Sequence, residues 1–203
     1  MANGRPSNGG LVFVLSGPSG VGKDTVMNCL REEPLNLHYC VTATTRRQRP
    51  GESHGVNHYF VDRAQFKDMI GAGELLEWAT VHENYYGVPL HEVRSAFGRG
   101  EDPFMRVDVQ GAASVRSRLP SSVLIFLAPE SLEELSPRLR ERATETDAEM
   151  AARLASACRE MEALPQFDYV VVNRQGSLGA SVDAVRAIVA AERCRVEPRW
   201  VTV

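Results

Sequence analysis

Apolar positions along the chain fall into two alternating rhythms. Short runs of β-branched, leucine and aromatic residues predict strands over 11–15, 39–43, 59–61, 75–81, 104–109, 123–127 and 169–172. Between them the apolar residues take up helical spacing, with start signals of their own. Asp62 with Gln65, Ser131 with Glu134 and Thr146 with Glu149 each set a capping oxygen three residues ahead of Glu or Gln. Pro89 suits a first helical turn, and Leu90, Val93 and Phe97 share one face before Gly98 ends the pattern. Strand and helix in regular alternation predict an α/β domain with a mainly parallel sheet flanked by helices. The stretch 41–87 departs from this, crowding strands and turns around a single helix over 63–70, and reads as an inserted subregion. Residues 1–10, rich in Gly, Asn and Ser, read as a flexible tail with no signal-peptide pattern.

The size of the chain narrows the picture. A chain of 203 residues, 43% of them apolar, can bury one substantial core. Its apolar runs are far shorter than the roughly 18 residues of a membrane span. A formal charge of −3 offers no general attraction for nucleic acid or an anionic bilayer, so a bound anion needs a local cluster of donors. The four cysteines, Cys29, Cys40, Cys158 and Cys194, show neither C-x-x-C pairing nor metal-ligand spacing, which fits reduced thiols in a cytoplasmic protein. The basic residues comprise 21 arginines and only two lysines, Lys23 and Lys67.

Lys23 has a physical reason to be a lysine. Gly17, Pro18, Ser19, Gly20, Val21 and Gly22 lead from an apolar strand into Lys23 and a helix, which is the context of a phosphate-binding P-loop. Backbone N–H groups close around phosphate oxygens, the helix start adds positive potential, and the ammonium reaches the terminal phosphates. Asp24 stands where the pattern has Ser or Thr, and Thr25 follows. A carboxylate there can hold Mg²⁺ directly or through water, or repel phosphate. Further on, Arg46, Arg47 and Arg49 follow the hydroxyls of Thr42, Thr44 and Thr45 and precede a Pro-Gly turn, a compact phosphate clamp. Glu77 has two acceptor oxygens and no donor, and so matches the adjacent N1–H and 2-amino donors of guanine, which adenine lacks.

The P-loop at 16–23, the Thr44-Thr45-Arg46-x-x-Arg49-Pro50-Gly51-Glu52 segment, Glu77-Trp78, Asn84-Tyr85-Tyr86-Gly87 and Asp108-Val109-Gln110-Gly111-Ala112 stand in the order and spacing of guanylate kinases. The chain resembles that family of P-loop nucleoside monophosphate kinases over nearly its whole length. The resemblance implies a domain over 11–193 made of an ATP-binding core, a GMP-binding subregion at about 41–95 and a helical lid at about 131–158, with a tail over 194–203. It implies transfer of the γ-phosphoryl group of MgATP to GMP or dGMP, while the charge and the short apolar runs point to no nucleic-acid or membrane partner. It places ATP on residues 17–25 and Asn173, and the GMP phosphate on Arg46, Arg49, Tyr86 and Thr42, the last replacing the usual serine. It also places guanine on Glu77, and Asp108 near the nucleotides and the magnesium.

Three departures from the family pattern carry consequences. His58 occupies the position of a phosphate-binding tyrosine and Tyr59 adjoins it, so either the imidazole replaces the phenol or the strand is shifted by one residue. Val88 stands where the family uses Ser or Thr against guanine. Arg106 replaces a first aspartate ahead of Asp108, and its guanidinium can reach phosphate or pair with Asp24.

In the lid, helical spacing puts Leu132, Leu135 and Leu139 in one stripe, with Arg138 and Arg142 on its flank and a bend at Pro137. The resemblance assigns Arg138, Arg142 and Arg153 to the transferring phosphoryl group. Two other readings compete. One is a ribose 1,5-bisphosphate phosphokinase, whose P-loop tends to end Gly-Lys-Asp. The other is a non-catalytic guanylate-kinase-like module that binds a phosphorylated peptide, although such modules lack the lysine and arginines present here.

Overall fold

The computed structural model describes residues 4–81, 83–132, 134–135 and 147–203, with 147–153 as backbone only. Five strands form a parallel sheet: β2 (Phe13–Ser16), β3 (Leu37–Tyr39), β8 (Asp102–Arg106), β9 (Val123–Ala128) and β10 (Tyr169–Val172), in the order β10-β9-β2-β8-β3. The helices around it are α1 (Lys23–Arg31), α3 (Leu90–Gly98), α4 (Val109–Arg118), α5 (Asp147–Met161) and α6 (Leu178–Arg193). The central strands β2 and β9 are buried on both faces and so read as continuous apolar runs. Phe13 and Leu15 pack with Val26, Leu30, Val182 and Val185 on one side, while Val12 and Val14 pack with Val93, Phe97 and Val115 on the other.

The inserted region builds a second, mixed sheet. It contains β4 (Ala43–Thr44), β5 (Tyr59–Phe60), β6 (Leu75–Val81) and β7 (Asn84–Pro89), in the order β5-β4-β7-β6. Helix α2 (Arg63–Gly71) covers it through Phe66, and starts on the expected capping box of Asp62 and Gln65.

The differences from the expected elements have local causes. The strand expected over 39–43 is two strands, because the chain crosses from one sheet to the other between Tyr39 and Ala43. The strand expected over 104–109 ends at Arg106, since Asp108 is already the N-cap of α4, accepting from Gly111 N–H at 2.7 Å. Pro89 serves as the N-cap residue of α3 and closes β7, a strand the apolar pattern does not show. The helix start expected at Thr146 lies outside the described residues, as does most of the one expected from Ser131.

Both chain ends bind the core where tails were expected. β1 (Gly9–Gly10) pairs antiparallel with β11 (Val201–Thr202), so the described part of 1–10 is not a loose tail and 194–203 docks. Buried Asp102 accepts from Leu11 N–H and ion-pairs with Arg5 and Arg193, a compensated buried charge that fastens both ends to β8.

Candidate active site

The carboxyl ends of β2, β8 and β10 open onto one edge of the parallel sheet, where α/β folds bind ligands. After β2, the chain turns through Gly17, whose φ of 138° and place 2.1 Å from Leu127 O at the would-be Cβ exclude any side chain. Gly22, at φ 98°, starts α1. Lys23 Nζ donates to Gly17 O at 2.5 Å and Pro18 O at 3.0 Å, so its ammonium already lies folded over the loop. Asn173, just beyond β10, donates through Nδ2 to Val21 O at 2.7 Å and accepts from Ser181 at 2.9 Å. Ser19, Gly20, Gly22, Lys23, Asp24, Thr25, Asn173 and the 174–176 turn line a cleft of about 600 Å³. Asp24 ion-pairs with Arg106 from the end of β8.

A second cluster forms on the mixed sheet. Parallel pairing of β4 with β5 sets Thr42 beside His58, and Thr42 Oγ1 and His58 Nδ1 share a 2.7 Å hydrogen bond. His58 lies edge-on to Tyr86, with ring centroids 6.1 Å apart, and the Arg46 guanidinium lies over the Phe60 ring. Tyr59 takes the opposite face and donates to Glu92 Oε1 at 2.7 Å, so it is the imidazole that shares a face with Thr42, Tyr86 and Arg46. Arg46 grips Glu52 with both Nη atoms, at 2.8 and 3.0 Å, and the Arg49 N–H donates to the same carboxylate at 2.8 Å. The Arg46 hydrogen bonds hold the Glu52 carboxyl down at about 2. Burial pushes the His58 imidazole below its ordinary value, and the Arg46 charge adds to this.

Glu77, on β6, is 4% exposed. Burial, with the nearby Asp108 charge second, pushes its carboxyl up to about 8, against the opposing pull of the Val88 N–H. A Cβ on Gly111 would stand 2.7 Å from Glu77 Oε2 and 3.2 Å from Asp108 Oδ1, so only glycine lets α4 approach both carboxylates. Val88 is fully buried in the apolar cluster that includes Leu76 and Val93, stands opposite Glu77 in the β6–β7 register, and donates its backbone N–H to the carboxylate. Residues 106–108 join the two clusters, with Arg106 on Asp24 and Asp108 beside Glu77.

The sequence model of guanylate kinase matches residues 10–192. The chain belongs to the guanylate kinase family. Guanylate kinase of Halalkalibacterium halodurans is 48% identical over 188 residues, spanning 93% of this chain and 91% of its own. Guanylate kinase 2, chloroplastic/mitochondrial, of Oryza sativa is 45% identical over 194 residues, spanning 95% and 68%. The crystal structure of guanylate kinase from Anaplasma phagocytophilum superposes with a TM-score of 0.78 at 34% identity, covering 95% of this chain and 90% of that one.

Of the arginines that resemblance to guanylate kinases assigns to the lid, Arg138 and Arg142 lie outside the described residues, and Arg153 falls in α5 where only backbone is described. The far end of that helix touches the P-loop. Ser19 N–H donates to Glu160 Oε2 at 3.0 Å, and Ser156 donates to Oε1 at 3.0 Å. Sequence reading had no signal for Glu160, 141 positions from its partner.

It also missed Glu92, which takes hydrogen bonds from Val41 N–H and Tyr59, shares one with His38, and so ties the mixed sheet to β3 and α3. Burial alone would raise the Glu92 carboxyl, but these hydrogen bonds outweigh it and hold the group at about 2. Among the described residues no helix is long and apolar enough to cross a membrane.

Proposed function

We propose that the protein is a guanylate kinase that moves the γ-phosphoryl group of MgATP to GMP, or to dGMP, giving ADP and GDP or dGDP. The observation that carries this reading is a P-loop on one sheet together with a second sheet that carries both the cluster of Thr42, Arg46, His58 and Tyr86 and one buried carboxylate, Glu77, on the strand paired with that of Tyr86. A sugar bisphosphate gives Glu77 no matching pair of donors, and a non-catalytic module has no use for Lys23. The domain spans 11–193, with 41–95 receiving GMP and 131–158 closing as the lid.

In this reading the P-loop amides and Lys23 hold the donor phosphates, and Asn173 braces the loop from behind through Val21. The GMP phosphate lies among Arg46, Arg49, Tyr86, His58 and Thr42, and guanine donates N1–H and its 2-amino group to ionised Glu77. A GMP phosphate oxygen attacks the γ-phosphorus as the bond to the β–γ bridging oxygen breaks, and the leaving electrons stay on ADP. That oxygen is already anionic near neutral pH, so the chain needs positioning and positive charge more than a base. Lys23 and the lid arginines Arg138, Arg142 and Arg153 supply that charge.

The chemistry of the donor set fits Mg²⁺. Asp24 and Thr25 offer oxygens at the cleft and Asp108 keeps an oxygen beyond its cap, which suits a hard cation held by one or two carboxylates, water and phosphate. When bound, the ion neutralises phosphate charge. A cytoplasmic setting fits the four free thiols.

The test is ADP formation from MgATP with GMP, dGMP, AMP, UMP, CMP and ribose 1,5-bisphosphate offered singly. Turnover confined to GMP and dGMP is expected. Turnover with the sugar bisphosphate, or ATP binding without any turnover, would overturn the reading.

A further inference from the structure

A carboxylate in the first turn of a P-loop helix is out of place on electrostatic grounds. The helix N-terminus and its amides form an anion site, and Asp24 puts a negative charge there next to Lys23, on the wall of the cleft. A carboxylate so placed is itself stabilised by the helix dipole, but it competes with phosphate for the same potential. The compensation comes from another element. Arg106 closes β8, is registered against Leu15 of β2, and is followed by Val107, whose N–H donates to Leu15 O at 3.2 Å. That register delivers the guanidinium to the mouth of the P-loop, where it pairs with Asp24. The arginine side chain is 23% exposed and the aspartate 62%, so the cation is the anchored member of the pair and the anion the one that faces solvent and ligand.

We infer that Arg106 is a positioning residue for ATP: by pairing with Asp24 it cancels the repulsion that this carboxylate would exert on the donor phosphates and keeps the P-loop electropositive. The pair is one unit, and Asp24 is tolerated in the loop because Arg106 is beside it. This rests on the proposed reading of the P-loop as the ATP site. It differs from a direct Arg106–phosphate contact in its genetics, since cancelling a repulsion is unnecessary once the repelling group is gone.

The experiment is equilibrium titration of ATP, with and without Mg²⁺, into wild type, Arg106→Leu, Asp24→Ser and the double variant, alongside GMP titration and thermal melting. Arg106→Leu is expected to weaken ATP about tenfold or more. Without Mg²⁺, Asp24→Ser is expected to bind ATP at least as well as wild type, and adding it to Arg106→Leu to recover affinity to within about threefold. The deficit of Arg106→Leu should shrink at high ionic strength, as screening of an exposed charge requires and a packing defect does not. GMP affinity should stay within about twofold throughout. If Arg106→Leu fails to fold, Arg106→Gln keeps the stem and removes the charge, with the same expectations.

A double variant as weak as Arg106→Leu would overturn the inference in favour of direct phosphate binding. ATP affinity unchanged in Arg106→Leu would overturn it outright. Wild type that binds no ATP would overturn the P-loop reading itself, and the inference with it.

Discussion

The two halves of the site prepare for a nucleotide in different ways. On the parallel sheet the binding groups rest on the loop and on one neighbouring helix: Lys23 donates to the loop's own carbonyls and the Ser19 N–H to Glu160. On the mixed sheet the binding groups are already engaged with one another. Arg46 is gripped by Glu52, His58 is hydrogen-bonded to Thr42, and Glu77 is held toward its neutral form by burial. Both halves exchange internal partners for ligand, but in the proposed reading the acceptor half alone must also ionise a buried carboxylate. This difference places base and phosphate discrimination on the acceptor side, because a ligand that cannot replace those partners gains nothing by entering.

The largest expected effect tests the donor half. Lys23→Ala should cut kcat by about a hundredfold or more with an unchanged melting temperature, and steady-state rates beside a thermal scan check both parts. Near wild-type turnover would remove the asymmetry between the halves. Next comes Glu77→Gln, which should raise KM for GMP by about ten- to a hundredfold while moving KM for ATP by less than about threefold.

The same variant should be more stable than wild type at alkaline pH. The folded protein holds the Glu77 proton up to about 8, against an ordinary 4.5. Stability present below the ordinary value is therefore lost as pH rises through about 8, and glutamine escapes that loss. Melting curves from pH 5 to 9 measure it, and parallel pH profiles for the two proteins would refute the burial cost.

A smaller effect follows for affinity. Guanine's donors favour ionised Glu77, so GMP should bind a few-fold more tightly as pH rises from 7 toward 8, and this slope should vanish in Glu77→Gln. Calorimetric titration at each pH reads it directly. The smallest change is His58→Phe, expected to raise KM for GMP about threefold through loss of one polar contact beside Thr42, with KM for ATP unmoved.

The parallel sheet was the more legible half. Strands buried on both faces declare themselves as apolar runs, as 123–127 does within β9, and the edge strand expected over 169–172 coincides with its observed bounds. The P-loop was readable because its glycines and lysine sit within seven consecutive residues.

The mixed sheet hid more of itself. β7 is carried by Asn84, Tyr85, Tyr86 and Gly87, residues that look like a motif and not like a strand, and its pairing with β4 and β6 supplies the regularity its own sequence lacks. Glu52, Glu92 and Glu160 act through partners brought together by folding, and an isolated glutamate in sequence carries no sign of that. Arg106 and Asp24 stood between two roles until the register of β8 on β2 set them side by side. The chain ends, with strands of only two residues each, gave no hint of the pair that joins them.

The most direct test of the account is the ratio of kcat/KM for GMP to that for AMP, in wild type and in Glu77→Gln. The account predicts a ratio of about ten thousand or more in wild type, as expected when a site's buried polar group would be left unpaired by the wrong base. It predicts at least a tenfold collapse of that ratio in the variant. A ratio that survives the substitution would contradict the claim that one buried carboxylate reads the guanine.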